Sequence, residues 1–275
     1  MGKKVYQYSL EGELLKSYVS VAIAANDMGV HSSSISRAIS LGYETKGFIW
    51  KTDEGDYTTR NVLVIGDLHE PFTLKSYLAF CKEVYDKYKC NQVVFIGDII
   101  DMHYSSFHAT DGDGHSAARE LELAKENIAE WYRVFPRAKV CLGNHDLLSN
   151  RKVFSAGLSS RWIKSIGDVL DTPEWTYKEE FIIDDVLYTH GTGRKAKSRM
   201  SNDLISVVQG HYHSESYIWN TMGVNNLLFA MQVGTGADQD SYAMAYGKPF
   251  NKMHINCGVV LNNGKLPILE YMINK

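Results

Sequence analysis

The sequence predicts an α/β chain whose strands deliver polar residues to one sheet edge, preceded by a small helix-turn-helix-like module. Three observations carry this. Short apolar, β-branched runs recur and stop at Gly, Asp or His. Segments with helical apolar spacing lie between the first of them, as in βαβ units. Beyond Asp171 the chain becomes β-rich.

The first fifty residues read as a separate module. Val5–Tyr8 and Leu14–Tyr18 flank Glu11-Gly12 and form a hairpin pattern. Ser20 is placed to cap a helix over 21–28 that Gly29 ends, and Ser32 to cap a second over 33–40. Gly47-Phe48-Ile49-Trp50 reads as a closing strand. Two short helices around a Gly-containing turn suggest a helix-turn-helix. Residues 1–51 carry net charge +2 within a chain of net −3. Residues 51–60 are polar and without apolar period, so the expected division is a module over 1–50, a linker over 51–60 and a large domain over 61–275.

In the large domain, Val62–Gly66 leads into Asp67-Leu68-His69, and Val93–Gly97 into Asp98-Ile99-Ile100-Asp101. Between them Leu74, Leu78, Cys81, Tyr85 and Tyr88 mark a helix that covers the sheet. A second helix carries Ala117, Leu121, Ala124, Ile128, Trp131 and Phe135 on one stripe, with Glu120, Lys125, Glu126 and Glu130 facing elsewhere. That stripe is core rather than a ligand platform. The polar loop 102–115 holds His103, His108 and His115, expected to be solvated or capping and outside the site. Lys139–Gly143 ends in Asn144-His145-Asp146, Val186–Thr189 in His190-Gly191, and Ile205–Gly210 in His211-Tyr212-His213. Phe181–Ile183, Leu227–Val233 and Val259–Leu261 complete the strand pattern. Open α/β sheets bind ligands at the carboxyl ends of their strands.

Composition sets the outer bounds. Forty-four per cent hydrophobic and 22% charged residues are ordinary for a globular protein. No apolar run approaches the ~20 residues that cross a bilayer, and the N-terminus lacks a signal-peptide core. Cys81, Cys90, Cys141 and Cys257 show no Cys-x-x-Cys spacing, so reduced thiols and a cytoplasmic location are expected. There is no glycine-rich nucleotide fingerprint, P-loop or internal repeat. Oligomeric state is not legible.

The five endings, in order Asp-x-His, Gly-Asp-x-x-Asp, Gly-Asn-His-Asp, His-Gly and Gly-His-x-His, resemble the calcineurin-like metallophosphoesterases from about Asn61 onward. The resemblance implies an αββα fold, a two-sheet sandwich with helices on both outer faces. It implies Asp67, His69 and His213 as ligands of one divalent ion and Asn144, His190 and His211 of another, with Asp98 bridging them. Carboxylate, imidazole and amide donors suit Mn²⁺ first, with Fe²⁺ or Zn²⁺ as alternatives. Ions held ~3.5–4 Å apart clamp the phosphoryl oxygens during in-line attack. His145 would protonate the leaving oxygen, oriented by Asp101. Protein phosphatases of the family carry an Arg after the last Asp of Gly-Asp-x-x-Asp. Here Met102-His103 stands instead, which disfavours a phosphoprotein substrate.

The N-terminal block resembles the nuclease-associated modular DNA-binding repeats of homing endonucleases. The matching residues are the Tyr8-x-x-x-Gly12 hairpin, Ser20-x-x-x-Ala24-Ala25, Ser34–Ile39 and Gly47–Trp50. That resemblance implies a second helix in a DNA groove, with Ser33, Ser34 and Arg37 facing DNA and His31 or Lys46 near phosphate. It also suggests a phage-encoded protein acting in the host cytoplasm. Arg151-Lys152 and the run Arg194-Lys195-Ala196-Lys197-Ser198-Arg199 lie beside two ligand loops and suit a polyanionic backbone. The expected function is therefore a binuclear-metal phosphodiester hydrolase acting on nucleic acid, DNA first. The alternatives are a phosphomonoesterase or small-molecule phosphodiesterase whose module serves assembly, and a DNA-binding or scaffold protein with a spent site.

Overall fold

A computed structural model describes residues 4–41, 44–52, 59–106, 111–223, 227–247 and 252–273. Most of the expected linker, and His108, lie outside the described residues. The chain divides into two compact units, residues 1–59 and 60–275.

In the first unit β1 (Val5–Tyr8) pairs antiparallel with β2 (Leu14–Tyr18) and with β3 (Ile49–Lys51). Helix α1 (Val21–Asp27) starts at Ser20, whose hydroxyl accepts from the Ile23 N–H at 3.4 Å. Helix α2 begins one residue earlier than expected and spans Ser32–Leu41. Val5, Tyr18, Ala24, Ala25, Ile35, Ala38 and Trp50 form a core of their own. Burial of Ile35 and Ala38 turns the opposite side of α2 outward, leaving Ser33, Ser36 and Arg37 exposed.

The second unit has two sheets. The larger runs in order β14 (Leu266–Tyr271), β13 (Asn256–Leu261), β4 (Val62–Ile65), β5 (Gln92–Phe95), β6 (Lys139–Cys141), β7 (Thr176–Lys178). The other runs β11 (Tyr217–Met222), β12 (Leu227–Gln232), β10 (Ser206–Gln209), β9 (Val186–Thr189), β8 (Glu180–Ile183). The period-two alternation of strands fixes the layers. Val62, Val64, Val94 and Ile96 pack with Phe181, Tyr188, Val208 and Met231 between the sheets. Leu63, Ile65, Val93 and Phe95 face α3 (Tyr77–Lys87) and α4 (Ala117–Val134) through Cys81, Ile128, Trp131 and Phe135. On the far side, Leu187 and Val207 pack with Ala196 and Met200 of α7 (Ala196–Asp203). The result is the expected αββα sandwich. All four cysteines are buried and free.

Two local expectations change, and one segment gains a structure. The basic run 194–199 enters α7, where Ala196 and Met200 are apolar one helical turn apart and both are buried. Glu120 does not face solvent. It is 2% exposed, and one carboxylate oxygen accepts from the His103 N–H at 2.8 Å. His103 is itself buried, with Nε2 accepting from the Asp111 N–H at 3.2 Å. Trp131 is core, as expected, and its indole N–H donates to Glu70 at 2.9 Å.

Candidate active site

Strands β4, β5 and β6 run parallel, as do β9 and β10, so the polar residues after each emerge at carboxyl edges. Sharp left-handed turns follow: His69 has φ 55°, Asp98 46° and His211 72°. These conformations are costly for non-glycine residues and cluster at functional sites. Two glycines allow the loops to close. A Cβ at Gly143 would strike the Asp98 carboxylate, and one at Gly210 would strike Oδ1 of Asp67.

The side chains converge in two groups that share Asp98. In the first, His213 Nε2 lies 3.0 Å from Asp67 Oδ2 and 3.2 Å from His69 Nε2. In the second, His190 Nε2 lies 3.1 Å from Asn144 Oδ1, His211 Nδ1 and Asp98 Oδ2. The same Oδ2 of Asp98 is 3.8 Å from His69 Nε2. Asp67, His69 and His213, and separately Asp98, His190 and His211, hold one donor atom each within the span of a metal ion. A third such set is His69, Asp101 and His145.

Ring tautomers follow from the partners. His190 Nδ1 faces the Ile96 carbonyl at 3.2 Å, and His145 Nδ1 faces the Asp101 carbonyl. A carbonyl only accepts, so both Nδ1 atoms carry hydrogen and leave Nε2 for the site. His69 Nδ1 meets Asp101 Oδ1 at 2.6 Å, which likewise turns its Nε2 lone pair toward Asp98 and His213. The expected contact between Asp101 and His145 is present, through the backbone carbonyl, and a contact with His69 is added. The Asp101 carboxylate bonds His69, and is 3.5 Å from His145 Nδ1, while the Asp101 backbone orients His145.

Electrostatics favour positive charge between the carboxylates. Burial opposes a charged His190, but Asp98 and Asp67 outweigh it and push its pKa up to about 10. Burial would raise the Asp98 carboxyl, yet the imidazoles of His190, His145 and His69 hold it well below the carboxylate range. Burial lowers His145, and Asp98 and Asp101 more than offset this, so its pKa is raised. Burial lowers His69 and His211, the usual state of neutral ligand imidazoles. Oδ1 of Asp67 is buried and accepts no hydrogen bond. An orphaned carboxylate oxygen beside imidazole lone pairs is a donor set that divalent cations fit.

Asp146 was legible as the end of Gly-Asn-His-Asp but carried no expected role. Its carboxylate accepts from Ile99 and Gly143 N–H groups at 3.0 and 2.8 Å, which ties the Asp98 turn to the Asn144 turn. Burial and the neighbouring Asp98 raise its pKa to about 7. Thr235 and Tyr77 also escaped sequence reading. Thr235 Oγ1 donates to the Asp67 carbonyl at 2.7 Å, and Tyr77 OH accepts from Gly66 N–H at 3.1 Å.

The expected nucleic-acid residues are placed unevenly. Ser33 is exposed, with its hydroxyl 2.8 Å from His31 Nδ1. Ser34 is half-buried, and Arg37 and Lys46 are exposed. Arg194 is exposed, whereas Lys195 pairs with Glu215, and Arg199 with Glu180 and Asp203. The run therefore presents less net positive charge than its sequence suggests.

Residues 60–234 match the calcineurin-like phosphoesterase family. The chain belongs to that family, and its C-terminal unit is a metal-dependent phosphoesterase. Residues 3–39 match the NUMOD1 domain, which ends within α2 and does not include β3. Among solved structures the chain is similar to an archaeal phosphodiesterase, at 14% identity and TM-score 0.43 over 77% of this chain and 99% of that one. It is also similar to vacuolar protein sorting 29 from Cryptosporidium parvum (15%, 0.42, over 77% and 89%). A third is the nuclease MPE of Pseudomonas putida (11%, 0.38, over 75% and 86%). No curated protein matches the chain. Among the described residues no helix is long and apolar enough to cross a membrane.

Proposed function

We propose that this protein hydrolyses phosphodiester bonds of nucleic acid, DNA first, using two divalent ions, Mn²⁺ first with Fe²⁺ or Zn²⁺ as alternatives. Asp67, His69 and His213 would hold one ion, and Asn144, His190 and His211 the other. The observation that carries this reading is the position of Asp98, whose Oδ2 faces His190 at 3.1 Å and His69 at 3.8 Å. A carboxylate in that position can serve both ions. Bound there, the cations supply Lewis-acid polarisation of the phosphoryl oxygens and an activated water. His145 gives the proton on Nε2 to the leaving oxygen, since Nδ1 is engaged by the Asp101 carbonyl. Asp101 holds His69 in its ligand tautomer.

The NUMOD1 match and the exposed face of α2 support nucleic acid as the substrate, with Ser33, Ser34 and Arg37 as contacts. Arg194 and Lys195 are the proposed contacts of the catalytic unit. The pairing of Lys195 with Glu215 favours a second reading, a small-molecule phosphodiesterase with the module used for assembly. Incubating Mn²⁺-loaded protein with labelled single- and double-stranded DNA, RNA, p-nitrophenyl phosphate and bis(p-nitrophenyl) phosphate separates these. Cleavage of DNA with little monoester hydrolysis is the expected result. Turnover confined to the small esters would select the second reading.

A further inference from the structure

The segment that follows the Asn144-His145 loop has features that the metal centre does not use. From Leu148 to Ile166 the chain carries Arg151, Lys152, Arg161 and Lys164 and no Asp or Glu, within a chain of net charge −3. Helix α5 (Leu148–Ser155) and a 3₁₀ turn over Ser160–Trp162 lie against each other. Phe154 is 83% exposed and Trp162 82%, with Leu158 between them in sequence also in solvent. Large aromatic side chains ordinarily lose most of their surface on folding. Two left in water among four cations form a contact surface rather than core.

The segment opens onto the site. The Leu148 N–H donates to the His145 carbonyl at 3.0 Å, so α5 leaves the ligand loop with no intervening linker. Arg151 lines a cleft of about 400 Å³ together with Asn144, Thr189, Gly191 and Arg199, and with the acidic Glu179 and Glu180. An eight-residue helix spans only about 12 Å, which keeps Phe154 within a few nucleotides of that cleft.

We propose that this segment binds the unpaired bases of a single-stranded nucleic acid and feeds its backbone into the metal centre. Phe154 and Trp162 stack on bases, while Arg151, Lys152, Arg161 and Lys164 follow the phosphates. The proposal rests on the nucleic-acid reading above and specifies its strandedness. An exposed ring can stack only on a base whose face is open, and a duplex closes those faces to all but its ends. The charge selects a polyanion over a neutral apolar partner.

The test uses the full chain in EDTA, which blocks hydrolysis, and fluorescence anisotropy with three labelled probes: a thymidine dodecamer, an abasic strand of equal phosphate number and a duplex of the same length. The dodecamer should bind more tightly than the abasic strand. Phe154→Ala and Trp162→Ala should each weaken the dodecamer about tenfold and leave the abasic strand and the duplex unchanged. Both side chains are exposed, so melting temperature and bis(p-nitrophenyl) phosphate turnover should not move. Photocrosslinking a bromodeoxyuridine strand should mark the peptide holding Phe154 or Trp162. Unchanged dodecamer binding in the double variant, equal losses on all three probes, or crosslinks only elsewhere would overturn the proposal. So would loss of flotation on anionic vesicles with dodecamer binding intact, which would assign the surface to lipid. Tight duplex binding with no preference for the dodecamer over the abasic strand would defeat this inference and leave the nucleic-acid reading standing. Absence of binding to all three probes, with no nucleic acid cleaved when Mn²⁺ is restored, would remove that reading itself.

Discussion

The Nδ1 atom of His69 lies 2.6 Å from Oδ1 of Asp101, and both side chains are buried. In the proposed centre this contact gives the Asp101 carboxylate the support of His69, while the Asp101 backbone carbonyl faces His145. Asp101→Asn keeps the shape and the backbone carbonyl that His145 uses, but weakens the bond that fixes the His69 tautomer. It should lower affinity for Mn²⁺ by about 10–100-fold, read by calorimetric titration. Saturating Mn²⁺ should restore most of the rate. A rate defect that no metal concentration relieves would assign the Asp101 carboxylate to His145 instead.

His145 separates chemistry from metal binding. His145→Ala should keep metal affinity and lose about 10²–10⁴ in rate on a DNA phosphodiester with a poor leaving group. With p-nitrophenol as leaving group the deficit should shrink, because that oxygen departs without protonation. Equal losses on both substrates would exclude the general-acid role.

Glu120 makes stability depend on pH. Burial pushes its carboxyl up to about 7, so the native state keeps a proton that the unfolded chain releases in the ordinary carboxylate range. Between those values the native state binds more protons, and stability falls as pH rises. Its contribution is fully present below the unfolded pKa and lost as pH passes about 7. Glu120→Gln retains an oxygen for the His103 N–H and removes the titration. Thermal melts from about pH 4 to 8 should show a shallower decline in the variant than in the parent. Parallel curves would show that Glu120 ionises alike in both states.

The N-terminal unit is predicted to act on long DNA only. Removing residues 1–58 should raise KM for long DNA by about tenfold or more, since tethered contacts act at an effective concentration near millimolar. Turnover of bis(p-nitrophenyl) phosphate should hardly change. Arg37→Ala should reproduce part of the defect, and the gap to the parent should narrow at high salt. Equal losses on both substrates would point to a structural role for the unit.

The convergence of the candidate ligands was legible because these residues follow strands. A buried β-branched run has a fixed end, and a ligand placed there has a fixed position, so Asp67, Asp98, Asn144, His190 and His211 could be ordered before any contact was known. What was not legible depends on which atom of a residue is used. Asp101 serves His69 with its carboxylate and His145 with its carbonyl, and spacing cannot distinguish the two. Glu120 was misplaced because helical periodicity ranks faces by apolarity, whereas this carboxylate is drawn inward by the backbone N–H of His103. The partial neutralisation of the basic run that enters α7 was not legible, because Glu215 and Glu180, which pair with Lys195 and Arg199, lie on other elements.

The position of Asp98 between two donor groups is tested most directly by counting metal. Purified protein equilibrated with excess Mn²⁺, freed of unbound ion and analysed by mass spectrometry should hold two ions per chain, with Asp98→Asn losing both along with nearly all activity. Fewer than two ions in the parent at saturation, or two retained in Asp98→Asn, would contradict the binuclear centre.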